Sequence, residues 1–174
     1  MKQILLVRHG QASFGKRDYD ALSERGHEQA RVLGRALAEQ GVVPDLVVRG
    51  GLRRHEETVA GMLTGLGESI PEQVDVGWDE FDFQHLIEVV RPRYRNRVVM
   101  MADLAKGGRP RPGGPVAACV THLLGGAGTQ WAQLNRACTN TGVTKVLHGR
   151  SGLTLSAFNA HDHLLGTDGM LTYR

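Results

Sequence analysis

Three short clusters in this 174-residue sequence carry side chains suited to moving a phosphoryl group. The first is Arg8-His9-Gly10, directly after the apolar run Ile4-Leu5-Leu6-Val7. An imidazole can attack phosphorus, and a neighbouring guanidinium presents a fork of donors matched to phosphoryl oxygens. A glycine beside them lets the backbone come close to an anion. The second cluster, Arg49, Arg53 and Arg54, follows Leu46-Val47-Val48, and at least one of these arginines is expected to reach the same crevice. The third, Trp78-Asp79-Glu80-Phe81-Asp82, follows Val74 and Val76 and offers a carboxyl group as general acid for a leaving oxygen. Each cluster alone is more often an ordinary surface feature. Together they supply a nucleophile, two cationic clamps and an acid, which suffices for phosphoryl transfer without a metal.

Such a set works only if three strand ends meet, because in open α/β sheets ligands bind at the carboxyl ends of strands. Residues 2–8 have the continuous apolar character of a buried parallel strand. After a glycine-containing loop, Ser23 is the expected N-cap of a helix whose Ala30, Leu33, Gly34 and Leu37 recur at helical spacing up to a stop at Gly41. Leu46-Val47-Val48 reads as a second strand, Arg53 to Leu66 as a second helix, and Val74 with Val76 as a third strand ending near Trp78. That alternation predicts an α/β fold with helices on a mostly parallel sheet. Leu86 to Ala105 reads as a helix started or kinked at Pro92, residues 106–115 as a loop, and Val116 to Leu124 as a buried helix. Val143–Leu147 and Leu153–Phe158 flank Gly149-Arg150-Ser151-Gly152 as a β-hairpin.

The length fits one domain over residues 1–174, with no internal repeat. An apolar share of 41% and a charged share of 22% are those of a globular chain, and the opening apolar run is too short for a membrane span or a leader. A cytoplasmic location is therefore expected, with no membrane partner. Cys119 and Cys138 lack the spacing of a disulfide framework or metal cluster. Arg91, Arg93, Arg95, Arg97, Lys106, Arg109 and Arg111 surround Tyr94 and supply much of the +3 net charge. Without a nucleic-acid motif that patch reads as a solvated face or a rim for anionic small substrates, and no nucleic-acid partner is expected.

The segments Leu5 to Gly15 and Tyr19 to Ala30 resemble the opening of the histidine phosphatase (phosphoglycerate mutase-like) superfamily. Leu52-Arg53-Arg54-His55-Glu56-Glu57-Thr58 is similar to its second motif, and Asp79-Glu80 to its acidic motif. Leu134 to Arg136, Asn140 to Thr144, Leu155 to Asn159 and His163-Leu164 resemble its closing strands. The resemblance implies a three-layer fold in which His9 is the nucleophile, Arg8 and Arg54 hold the phosphoryl group and Glu80 donates the proton. It further implies substrate contacts from Gly10, Gln11, Ser13, Phe14, Gly15 and Gly114, with no cofactor and no metal. The implied activity is metal-independent hydrolysis of a phosphorylated small molecule through a phosphohistidine, in preference to mutase action, for which no dedicated lid is seen.

The sequence also departs from that pattern. Gly113-Gly114-Pro115-Val116 looks like the tail of a Ser-Gly-Gly-Pro motif, yet Pro112 replaces the serine and Gly107 to Arg111 cannot form a hydrophobic strand. An internal deletion that removed a central strand is the simplest account. It leaves three expectations: an active phosphatase; an impaired homologue that binds phosphorylated ligands or a protein partner without turnover; and a homodimer pairing through the uncovered edge. Gly15 stands where many mutases carry a phosphate-binding asparagine. Among the other histidines, His148 is expected at the surface or a turn, His122 in the core or an interface, and His163 in packing at the end of the sheet. His161-Asp162-His163 lacks a further ligand of suitable spacing for a metal, and nothing in the sequence assigns His55 a role.

Overall fold

The computed structural model describes residues 2–13, 20–79, 114–126 and 128–173. In chain order these form β1 (Lys2–Val7), α1 (Glu24–Glu39), β2 (Val47–Arg49), α2 (Arg53–Leu66), β3 (Glu72–Val74), α3 (Gly114–Leu123), α4 (Gly128–Ala137), β4 (Val143–Gly149) and β5 (Gly152–Ala160). Short 3-10 turns cover Val76–Trp78 and Asp162–Leu164. Among the described residues no helix is long and apolar enough to cross a membrane.

Local signals set the helix limits as expected. Ser23 caps α1, its Oγ accepting the Gly26 N–H at 3.1 Å, and Gly41 follows the helix with φ +65°. A left-handed residue just past the last turn is the common helix stop, and glycine takes it without a steric cost. Gly67 ends α2 in the same way, with φ +75° and its N–H on the Leu63 carbonyl at 2.9 Å. α1 buries Ala30, Leu33, Gly34 and Leu37, the residues that the spacing singles out. The two helices approach closely: a Cβ on Gly34 would run into the Met62 carbonyl. Leu33, Leu37, Met62 and Leu66 form the core cluster, and Leu5, Val7, Val47 and Val143 pack on it from the strands.

The α/β class stands, but the sheet is not mostly parallel among the described residues. One sheet has the order β1-β4-β5 with both pairings antiparallel, and a separate two-stranded sheet joins β2 to β3 in parallel. The β4–β5 hairpin turns over Arg150-Ser151 and lays β4 along β1 from Lys2↔His148 to Val7↔Val143. A strand-helix-strand reading makes consecutive strands neighbours. Here a hairpin from the far end of the chain takes one edge of β1, and among the described residues no strand joins β1 to β2. Their facing edges instead line a cavity of about 870 Å³, which Met62, Val59, Pro115 and Val116 also border.

Three smaller expectations are corrected. Val76 lies in a 3-10 turn, not in β3, because Asp75 caps that turn by accepting the Gly77 N–H at 2.9 Å. Gly114 and Pro115 belong to the first turn of α3, where a missing proline N–H costs nothing, and not to a loop. His122 is not in the core, since the inward stripe of α3 is Val116, Ala117, Val120 and Thr121 and position 122 is exposed. His148 is exposed near the end of β4, as expected. The helix expected over 86–105 and most of the expected loop over 106–115 lie outside the described residues.

Candidate active site

β1 ends by delivering Arg8, His9 and Gly10, all buried, to the junction of both sheets with α2. Their backbone is held from three directions. The Thr141 N–H donates to the Arg8 carbonyl at 3.1 Å, Asn140 Nδ2 to the His9 carbonyl at 3.1 Å, and the Gly10 N–H to Thr58 Oγ1 at 3.0 Å. His9, 5% exposed, has Nδ1 at 2.5 Å from the Gly10 carbonyl. A carbonyl only accepts, so Nδ1 carries the proton and the lone pair lies on Nε2. In that tautomer Nε2 is the ring nitrogen that could bond to an electrophile. The Arg8 guanidinium is anchored through NH1 to the Cys138 carbonyl at 2.5 Å and the Tyr173 carbonyl at 3.4 Å. Gly10 has a packing reason beyond close approach to an anion, because a Cβ there would strike the Gly26 carbonyl.

Of the three arginines after β2, Arg54 is the buried one, 8% exposed, and lies one helical turn before Thr58. Its NH1 meets Asp20 Oδ1 at 2.5 Å, while Asp20 Oδ2 accepts the Arg53 N–H at 2.8 Å. Asp20 thus caps α2 from a distant loop; Leu52, at the N-cap position, makes no side-chain cap. Arg53 is exposed and pairs with Glu57 at 2.7 Å, and Arg49 pairs with Glu72. Asp79 accepts the Gly51 N–H at 2.6 Å and lies 3.7 Å from His55 Nδ1. The His55 and His9 ring centroids are 5.9 Å apart.

The remaining expected residues are spread around this centre. Gln11 and Ser13 are tied to the approach to α1: Gln11 Oε1 accepts from Ser23 Oγ at 3.0 Å, and Ser13 Oγ donates to the Leu22 carbonyl at 2.9 Å. Gly114 is buried at the start of α3, its carbonyl accepting Trp131 Nε1–H at 3.2 Å. Phe14, Gly15 and Glu80 lie outside the described residues. Asp20, Thr58, Asn140 and Thr141 went unremarked as site residues in the sequence. Asp20 and Thr58 sit inside motif segments, and Asn140-Thr141 opens the segment before β4; that was the only signal. Thr141 holds φ +56°, a strained conformation for a β-branched residue, stabilised by its bonds to Arg8 and Asn140. Its Oγ1 lies 3.1 Å from Nε2 of His163, whose pKa is pushed below the usual histidine value by burial and by nearby His161. Among the described residues no group of three or more His, Cys, Asp or Glu is placed to hold a metal ion.

A buried histidine whose Nδ1 is tied to a carbonyl, with buried Arg8 next to it in the chain and buried Arg54 on α2, is chemically suited to phosphoryl transfer. The sequence model of the histidine phosphatase superfamily (branch 1) matches residues 4–102, and the chain belongs to that superfamily. It is similar to the 2,3-bisphosphoglycerate-dependent phosphoglycerate mutase of Chelativorans sp. (strain BNC1), 36% identical over 91 residues that cover 48% of this chain and 44% of the relative. The matches thus span less than half the length of that mutase. The fold is similar to that of a mycobacterial glucosyl-3-phosphoglycerate phosphatase solved with VO3, with a TM-score of 0.60 and 21% identity over 92% of this chain and 100% of the other. Phosphoserine phosphatase from Entamoeba histolytica, solved with 3-phosphoglyceric acid, aligns with a TM-score of 0.61 and 18% identity over 95% of this chain and all of its own.

Proposed function

We propose that the protein hydrolyses phosphomonoesters of small molecules through a phosphohistidine on His9, without a metal. The observation that carries this reading is the bond from His9 Nδ1 to the Gly10 carbonyl, which leaves the Nε2 lone pair as nucleophile beside buried Arg8. Nε2 bonds to phosphorus as the ester P–O bond breaks, and Glu80 gives its proton to the leaving alkoxide. Water then attacks the phosphohistidine, the P–N bond breaks, and the proton of the water returns to Glu80. Arg8 and Arg54 hold the non-bridging oxygens as charge develops. The named ligands and substrates of the structural neighbours, all phosphorylated or phosphate-like, support a phosphorylated small molecule as substrate.

Hydrolysis of an aryl phosphate in the presence of a chelator, with His9→Ala beside the wild type, tests the reading. Activity that disappears in the variant supports it. Arg54→Ala should raise the barrier by on the order of 3 kcal/mol, roughly a hundredfold in turnover rate. An unchanged rate refutes the assignment of Arg54.

A second reading, a homologue that binds phosphorylated ligands without turnover, is favoured by one observation. The cavity between β1 and β2 runs up to His9 and Arg8, so one wall of the site lacks a strand among the described residues. Phosphate binding by a folded protein that hydrolyses nothing selects this reading over the first.

A further inference from the structure

His55 carries chemistry that the sequence did not assign. It is the third residue of α2, and its side chain, 12% exposed, lines the same cavity as Arg8, His9 and Thr58. Its ring centre stands 5.9 Å from that of His9 with the planes tilted by 38°. A separation of this size lets an oxygen on a His9-bound phosphorus reach a donor on the second ring.

The ring is also held for the task. Nδ1 is at ion-pair distance, 3.7 Å, from Asp79 Oδ1, and the same carboxylate oxygen is fixed by the Gly51 N–H at 2.6 Å. Gly50, buried beneath them, explains how the two come together. A Cβ at that position would collide with both Asp79 Oδ1 and His55 Nδ1, so the Gly50-Gly51 pair is the floor on which imidazole and carboxylate meet. An Nε2–H on this ring is a donor that a phosphoryl oxygen would accept.

We propose that His55 is a catalytic residue of this site, its Nε2–H donating to a non-bridging oxygen of the phosphoryl group carried by His9, with Asp79 as the residue that positions its ring. The assignment rests on His9 being the phosphoryl acceptor. It gives the site a second imidazole, carried by α2.

The test uses the full chain and inorganic phosphate. In 15N-histidine spectra of the wild-type protein, phosphate should shift the resonances of both His9 and His55. His55→Leu should weaken phosphate binding about tenfold or more and lower kcat for an aryl phosphate in proportion, as loss of a donor to a charged group does. His55→Gln, which keeps a donor, should recover part of the loss. Asp79→Asn should change the His55 resonance, and its effect should not add to that of His55→Leu, because it acts through the same ring. A phosphate response at His9 without one at His55, or wild-type phosphate affinity in His55→Leu, overturns the assignment. A folded protein in which phosphate moves neither ring overturns both this assignment and the phosphohistidine reading beneath it.

Discussion

Thr58 ties the segment after β1 to α2, and replacing it with valine isolates that tie. Its Oγ1 accepts the Gly10 N–H at 3.0 Å and donates to the Arg54 carbonyl at 2.6 Å, with the residue only 7% exposed. Valine fills nearly the same volume, so the cavity contribution is small and the lost acceptor dominates. Gly10 is itself buried, and its N–H would have no water to turn to. A buried donor left without its partner costs about 1–3 kcal/mol. The Arg54 carbonyl suffers less, because it keeps its helical partner. For a chain of this size each kcal/mol moves the melting temperature by about 2–4 °C, so Thr58→Val should melt roughly 2–12 °C lower. Urea denaturation should show a lower midpoint with an unchanged slope, the sign of a stability change without a change in compactness. Thr58→Ser keeps the oxygen, loses one methyl group, and should cost about 1 kcal/mol. Turnover should fall in Thr58→Val more than in Thr58→Ser, since Gly10 adjoins His9. A wild-type midpoint in Thr58→Val refutes the reasoning, and so does a Thr58→Ser variant weaker than Thr58→Val, which would put the role in the methyl group.

Other consequences can be measured with the same tools. Gly34→Ala must push α1 away from α2, because the new Cβ meets the Met62 carbonyl; calorimetry should show a loss of about 1–3 kcal/mol, and a neutral result would mean that the helices part freely. Asp20→Ala removes the acceptor of the Arg53 N–H and the partner of Arg54, and should cost about 1 kcal/mol as loss of a cap does, whereas Asp20→Asn should retain much of the cap. Burial and the charge of His161 lower the pKa of His163 in the folded protein, so the unfolded chain takes that proton more readily. Stability from this group is complete above the ordinary histidine value and is lost as pH falls through the lower folded value. Melting temperatures taken from about pH 7.5 down to about pH 5.5 should therefore fall more steeply in the wild type than in His163→Gln, and parallel curves would refute the attribution.

Features written in short windows were legible from the chain. Ser23 and Gly41 mark helix ends, because capping and left-handed stops involve neighbours a few residues apart. The inward face of α1 and the hairpin around Arg150-Ser151 follow from periodicity and turn residues in the same way. The family resemblance also singled out Arg54 over its neighbours, and Arg54 is the arginine that α2 buries.

Tertiary structure alone decided who stands beside whom. β1 reads as a member of a parallel sheet because an apolar run says only that a strand is buried, not which edge it offers to which partner. The choice went to β4, whose Val143 lies opposite Val7 although far along the chain. Asp20 became the cap of α2, Thr58 the anchor of Gly10, and Asn140 with Thr141 the clamp on the His9 and Arg8 carbonyls by the same kind of long-range meeting. His55 shows the difference most sharply. As a residue in a helical motif it carries no assignment, yet a bare Gly50 lets its ring settle against Asp79 and face His9. Periodicity and capping act through bonds a few residues apart and are recorded in the order of residues. Convergence of distant side chains depends on how the elements pack, and packing is settled by the sum of many small contacts rather than by any local pattern.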